Sequence, residues 1–226
     1  MYISVNMLDG TKQKIINCAI KLFNKQGFGA VTLFEIAGEL NISRGNLTYH
    51  YKSKDVLLAA IAEQMWDKMM HERNKSRQLP SFENLHNEVQ IYHKVQRQYT
   101  FIFNDNHVMK HPAIRKKFKE MIEQTVEDNK ASIAFAITRG NMKPEPFPGL
   151  YHNIALNTWM IAFFWLTQKS IRGEKKTESV EAMIWSLLLP HFTTKGIKAF
   201  KAFYGDEYLD NLGESFESNI KDLINF

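Results

Sequence analysis

Residues 32–55 read TLFEIAGELNISRGNLTYHYKSKD, and the fold turns on how this stretch is punctuated. Thr32 and Glu35 have the spacing of a capping box, in which each side chain satisfies the other residue's free backbone amide. The helix they open carries Ile36, Ala37 and Leu40 inward. It stops at Asn41, a residue that tolerates the left-handed conformation of a sharp turn. Ile42 plugs that turn, and Ala37 is small where two helices must cross closely. Ser43 caps the next helix, whose inner side is Leu47 and Tyr51. Two helices of about eight residues joined by a tight turn form a helix-turn-helix.

Helical steps of about 100° place Gly45, Asn46 and Tyr49 opposite Leu47 and Tyr51. Thr48 and His50 fall on the two flanks, and Arg44 projects from the amino end. That outer side suits the major groove of double-stranded DNA. Gly45 removes bulk, Arg44 offers paired donors to guanine, and Asn46 matches adenine. Thr48, Tyr49, His50 and Lys54 are donors suited to phosphate oxygens, which fix register without reading sequence. Thr32 adds the free amides of a helix amino end, which also favour phosphate. A plainer reading of the same residues is a short polar surface helix with Tyr49 and Tyr51 half-buried.

Outward from this stretch the chain stays helical. Upstream, Ile15, Ile16, Ala19, Leu22 and Phe23 mark one face of a helix over Thr11–Gly27, with Gly27 at its left-handed end. Downstream, Ser53 caps a long helix to Ser76 that has Asp55 in its first turn and Leu57, Ile61, Met65 and Met69 on one side. Pro80-Ser81 opens a fifth helix with the stripe Leu85, Val89, Tyr92, Gln96, Tyr99 and Phe103. After a turn over 105–112, a helix runs from Ala113 to Gly140, before the loop NMKPEPFPG. Helices over Leu150–Ser170 and Thr177–Phe203 follow, the second kinked at Pro190. A last one starts at Asp206 with Tyr208, Leu212, Phe216 and Leu223 inward. No strand-like alternation and no repeat interrupts this. The expected class is all-α, with a three-helix helix-turn-helix domain over 1–56 and a larger helical domain over 57–226.

Composition narrows the function. The 226 residues are 44% hydrophobic and 23% charged, the balance of a packed soluble protein. Net charge is +5, and residues 1–60 hold seven Lys and Arg against four Asp and Glu, so the candidate reading head carries +3 of it. Cys18 stands alone, which excludes an internal disulfide and fits a reducing cytoplasm. It lies one helical turn from Ile15 and Leu22 and reads as a buried thiol. The amino end lacks the pattern of a secretory signal. The most apolar run, Ile154–Leu166, falls short of the ~20 residues that span a bilayer. A cytoplasmic protein without membrane association is expected.

The stretch TLFEIAGELNISRGNLTYHYKSKDVL resembles the amino-terminal motif of the TetR family of bacterial transcriptional regulators. The matching positions are Thr32, Ile36-Ala37, Ile42-Ser43, Gly45, Leu47, Tyr49-His50, Tyr51 and Lys52-Ser53-Lys54-Asp55, within a likeness over about residues 10–60. Two positions depart from the family pattern. Asn41 replaces the usual glycine of the turn, and Thr48 replaces a tyrosine that commonly touches phosphate. The resemblance implies a homodimer on a palindromic operator, joined through two late helices. It also implies an effector cavity in the second domain whose occupancy changes the spacing of the two reading heads. These late helices carry more large apolar residues than one helix can bury on one side, so Phe163, Trp165, Ile184 and Leu188 are the candidate dimer surface, with apolar core within one subunit as the alternative for each. Met65, Met69, Gln96, Tyr99, Phe103, Phe118, Met121, Thr125 and Trp159 are candidate lining for the pocket; plain core is the alternative for each.

His107 and His111 have the spacing of a helical metal pair, but Pro112 and the turn argue against a regular helix, and no third ligand stands near. No metal and no cofactor is expected. Nothing resembles a phosphate loop, a nucleophile elbow or a catalytic carboxylate pair, so no enzyme is expected. The reading is a DNA-binding regulator, a repressor released by a small apolar or amphipathic effector. Its alternatives are an effector-independent DNA-binding protein and a ligand-binding or interaction module without DNA contact.

Overall fold

The computed structural model describes residues 2–76, 80–173 and 179–213, with the side chains of 2–9 and 76 outside the description. Among the described residues there is no β-strand, only an isolated antiparallel bridge between Met142 and Phe192. The chain forms two compact units. Unit one comprises Met1–Ser76 and Gln90–Ile122, and unit two Arg77–Val89 and Glu123–Phe226, a division that differs from one at 56/57.

Unit one is built on α1 (Tyr2–Gln26), which buries Ile15, Ala19 and Phe23. It packs on α2 (Leu33–Glu39), α4 (Lys54–Ser76) and α6 (Thr100–Asn104). Gly27 ends α1 at φ 86°, where its amide still reaches the Phe23 carbonyl. Thr32 and Glu35 form the anticipated capping box of α2. Asn41 makes the turn at φ 52°, and the Ile42 amide donates to the Ala37 carbonyl. α3 (Arg44–His50) follows, capped by Ser43, whose hydroxyl accepts from the Asn46 amide at 3.1 Å. Leu47 and Tyr51 are buried beneath it. In α4, Leu57, Ile61, Met65 and Met69 line the buried side.

The stripe from Leu85 to Phe103 is not one helix. α5 (Phe82–Gln98) stops and α6 restarts, and Asn24 explains the break. Its side-chain amide donates to the Gln98 carbonyl at 2.8 Å, while its oxygen accepts from the Phe101 amide at 3.0 Å. One side chain of α1 thus supplies both bonds that an interrupted helix lacks. Asp105 caps the five-residue α7 (Asn106–Lys110), and α8 (Pro112–Thr138) begins directly after His111.

Unit two contains the second half of α8, α9 (Leu150–Arg172), α10 (Val180–Leu188) and α11 (Thr194–Tyr204), with α9 packed on α10. The helix expected over Thr177–Phe203 is two helices, and its proposed start lies outside the described residues. Pro190 ends it rather than kinking it, because proline has no N–H to continue the ladder. Leu189–His191 make one 3-10 turn, and Thr193 caps α11 by accepting from the Gly196 amide. Gly196 is obligatory there: a Cβ would stand 2.0 Å from the Asn141 carbonyl oxygen. Asp206 opens a short 3-10 turn to Tyr208, not a helix, and Phe216 and Leu223 lie outside the described residues.

Phe163, Trp165, Ile184 and Leu188 are all buried within the single chain, so a partner would remove little further area from water. The apolar side chains that α9 leaves in solvent are Met160, Phe164 and Ile171, within about 40° of one another around the helix. Met183 is their exposed counterpart on α10.

Candidate nucleic-acid interface

The outward side of α3 is what the short helix leaves over after burying Leu47. Arg44, Gly45, Asn46 and Tyr49 are exposed together, Tyr49 with 74% of its surface in solvent. The Arg44 and Asn46 side chains have no partner among the described residues, so their donors and acceptors face outward. His50 is half-buried and packs edge-on against the Tyr49 ring, 5.2 Å between centroids. Gly45 meets nothing nearer than the Ser43 hydroxyl at 3.9 Å when given a Cβ. No internal packing therefore demands glycine, although a helical glycine costs about 1 kcal/mol against alanine.

Three expected phosphate ligands have other work. The Thr48 hydroxyl lies 3.0 Å from the Arg44 carbonyl and 3.2 Å from that of Gly45, so its proton is directed to its own helix. Thr32 donates both its amide and its hydroxyl to one oxygen of Glu35, at 2.7 and 2.8 Å. These bonds hold the Glu35 carboxyl below its ordinary range, the Thr32 hydroxyl being the larger cause. At the start of α2 the amides of Leu33 and Phe34 have no partner among the described residues, beside a Phe34 ring that is 71% exposed and that the sequence reading did not single out. The Lys54 ammonium donates to the carbonyls of Phe28 and Val31 at 2.8 and 3.0 Å, with Gly29 at 3.4 Å, and sits over the Phe28 ring. All three of its protons are taken. Lys52 is the exposed cation of that segment, with no partner among the described residues.

The proposed effector residues separate by unit. Met65, Met69, Gln96, Tyr99, Phe103, Phe118 and Met121 are buried in unit one, where Trp66 and Phe103 both meet the Phe118 ring edge-on, at 5.0 and 5.7 Å. Burial pushes the Tyr99 phenol up from its usual range. Its hydroxyl and the Trp66 indole nitrogen are buried without a partner among the described residues. Arg73, which the hydrophobic pattern could not flag, is also buried in this unit. Thr125 and Trp159 belong to unit two, Trp159 lying 5.2 Å from Phe163. The His111 ring accepts from the Ala113 amide and faces Asp55, while His107 is exposed.

A helix-turn-helix that bares base-capable groups on its second helix, carried by a larger helical body, defines a DNA-binding regulator. Two family models match the chain: "Bacterial regulatory proteins, tetR family" over residues 15–61 and "Bacterial transcriptional repressor" over 61–200. The chain belongs to the TetR family of bacterial transcriptional regulators. Over 52 residues it is 48% identical to the uncharacterized regulator YerO of Bacillus subtilis, covering 23% of this chain and 18% of that protein. Over 44 residues it is 43% identical to the biofilm operon negative regulator IcaR of Staphylococcus epidermidis, covering 20% and 24%. The chain thus spans about a quarter or less of the length of these curated relatives. Among solved structures, a TetR-family regulator of Marinobacter aquaeolei superposes with a TM-score of 0.74 at 21% identity, over 85% of this chain and 96% of that one. A SmeT–triclosan complex superposes at 0.60 with 15% identity, over 83% and 94%. These likenesses establish the fold. No described helix is long and apolar enough to cross a membrane.

Proposed function

We propose that the protein represses transcription in the cytoplasm as a homodimer on a palindromic operator and leaves it when a small amphipathic molecule binds. The observation that carries this reading is the bare surface of α3, where Gly45 answers to no neighbour within the chain. Arg44 and Asn46 read base edges; Tyr49, His50, Lys52 and the open amides of Leu33 and Phe34 hold phosphates. Thr32, Thr48 and Lys54 shape the head from within. The dimer forms over Met160, Phe164 and Met183, which are exposed on the two packed helices α9 and α10. The effector sits in unit one among Met65, Met69, Phe103, Phe118 and Met121, and presents an acceptor to the Tyr99 hydroxyl and the Trp66 indole. That IcaR is named a negative regulator and that SmeT is found in complex with triclosan support the mode of action by analogy.

The test is a titration of labelled random-sequence duplex with the full-length protein at low salt. Saturable binding that weakens as salt rises is expected. A protein that leaves the duplex free even at low salt is not a DNA-binding regulator.

A further inference from the structure

The positive charge of this chain does not sit where the helix-turn-helix alone would put it. Unit one carries 17 Lys and Arg against nine Asp and Glu, a net +8, and unit two carries 12 against 15, a net −3. Residues 1–60 supply +3 of the first figure, whereas residues 90–122, with seven cations and two anions, supply +5. From 106 to 119 there is no carboxylate at all, against Lys110, Arg115, Lys116, Lys117 and Lys119.

The structure places this run beside the reading head. His111 Nε2 lies 3.4 Å from Asp55 Oδ1, Lys117 Nζ lies 3.6 Å from Glu63 Oε1, and the Trp66 and Phe118 rings meet at 5.0 Å. Residue numbers rise together along the two helices, so α4 and α8 run side by side with their amino ends at the same end of unit one. The amino end of α4 is where the chain leaves α3 and passes Lys52. Arg115 and Lys116 stand within about 8 Å of His111 along the α8 axis, and Lys110 adjoins it.

These cations are not consumed inside the fold. Lys110 and Arg115 are exposed and have no side-chain partner among the described residues. Lys116 is 4.0 Å from Glu120, a solvent-exposed pair that holds it only weakly. Lys117 is held by Glu63, and Lys119, though engaged, is exposed. A largely unpaired basic run beside the start of α4, where the chain leaves the DNA-reading head, is suited to the phosphates that flank the site being read.

We infer that Lys110, Arg115 and Lys116 form a second DNA-backbone contact that extends the footprint beyond the helix-turn-helix and adds affinity without adding sequence preference. This rests on the proposed DNA-binding function and is tested separately from it. Full-length wild type, Lys110→Gln/Arg115→Gln and, as a control removing equal charge from unit two, Lys195→Gln/Lys198→Gln are titrated onto a random-sequence duplex of about 40 base pairs across a salt series. Their base preferences are compared by selection from a random pool. Each phosphate contact contributes about 0.9 to the salt slope, so the unit-one pair should flatten it by about 1.8 for each protomer engaged on the duplex and weaken moderate-salt binding at least roughly tenfold, with preferences unchanged. An unchanged slope, or an equal loss in the unit-two control, overturns the inference while leaving the regulator reading intact. Altered base preference overturns it as well, because the residues would then be reading sequence. A wild type that binds no duplex at any salt removes the proposed function, and this contact with it.

Discussion

Lys54 Nζ lies 2.8 Å from the carbonyl oxygen of Phe28 and 4.4 Å from the centre of that residue's ring. The first side chain of α4 is therefore a clasp on the loop between α1 and α2, not a free phosphate ligand. Lys54→Met should destabilise the protein by about 1–3 kcal/mol in chemical denaturation, since it leaves partly buried carbonyls unpaired. The salt slope of DNA binding should not change. A slope flattened by about one unit, with stability intact, would return Lys54 to the phosphate rails.

Gly45 gives a sharper contrast because fold and function pull it in opposite directions. Gly45→Ala should raise stability by roughly 0.5–1 kcal/mol, since alanine is the better helix former and its Cβ meets open space. With α3 in the groove as proposed, the same methyl would meet the approaching duplex, so affinity for DNA should fall at least tenfold. Binding that survives undiminished would mean that α3 does not come close to the bases.

The capping box of α2 makes stability depend on acid. Hydrogen bonds from Thr32 hold the folded Glu35 carboxyl below its ordinary range, so its contribution is complete above the unfolded value. It is lost as pH falls through the depressed folded value. The stability gap between wild type and Glu35→Gln should therefore be constant near neutrality and close below about pH 4. Denaturation measured across that range checks it, and a gap that widens in acid contradicts the sign.

Dimerisation through the exposed stripe predicts that Phe164→Glu yields a folded monomer. Phe164 is exposed in the single chain, so little stability is lost on that account. Sedimentation should show half the wild-type mass, with specific DNA affinity reduced because one head reads only half a site. A dimer that persists would place the interface elsewhere.

The reading head was legible in the sequence because its signals are local. A cap and its acceptor stand three residues apart, Asn41 announces its left-handed turn, and a buried Leu47 leaves the opposite face determined by helical geometry. What the sequence hid depends on partners far along the chain. Asn24 breaks a helix whose own periodicity is continuous through Tyr99, and only the folded chain shows the bonds it makes. Apolar content alone marked Phe163 and Ile184 as surplus for one helix. Burial within the chain distinguishes them from Phe164 and Met160, which share their composition but not their environment. The cations at 110–119 lie some sixty residues from the head they accompany, so no window of sequence joined them to it.

Selection of random duplexes by the full-length protein, repeated with Arg44→Ala, tests the central claim that α3 reads DNA through its exposed side. Wild type should enrich a palindrome with half-sites spaced by whole helical turns, and Arg44→Ala should lose about 1–3 kcal/mol on it and relax one base position in each half-site. A pool that emerges unenriched at low and moderate salt, or a palindrome that Arg44→Ala selects unchanged, would contradict it.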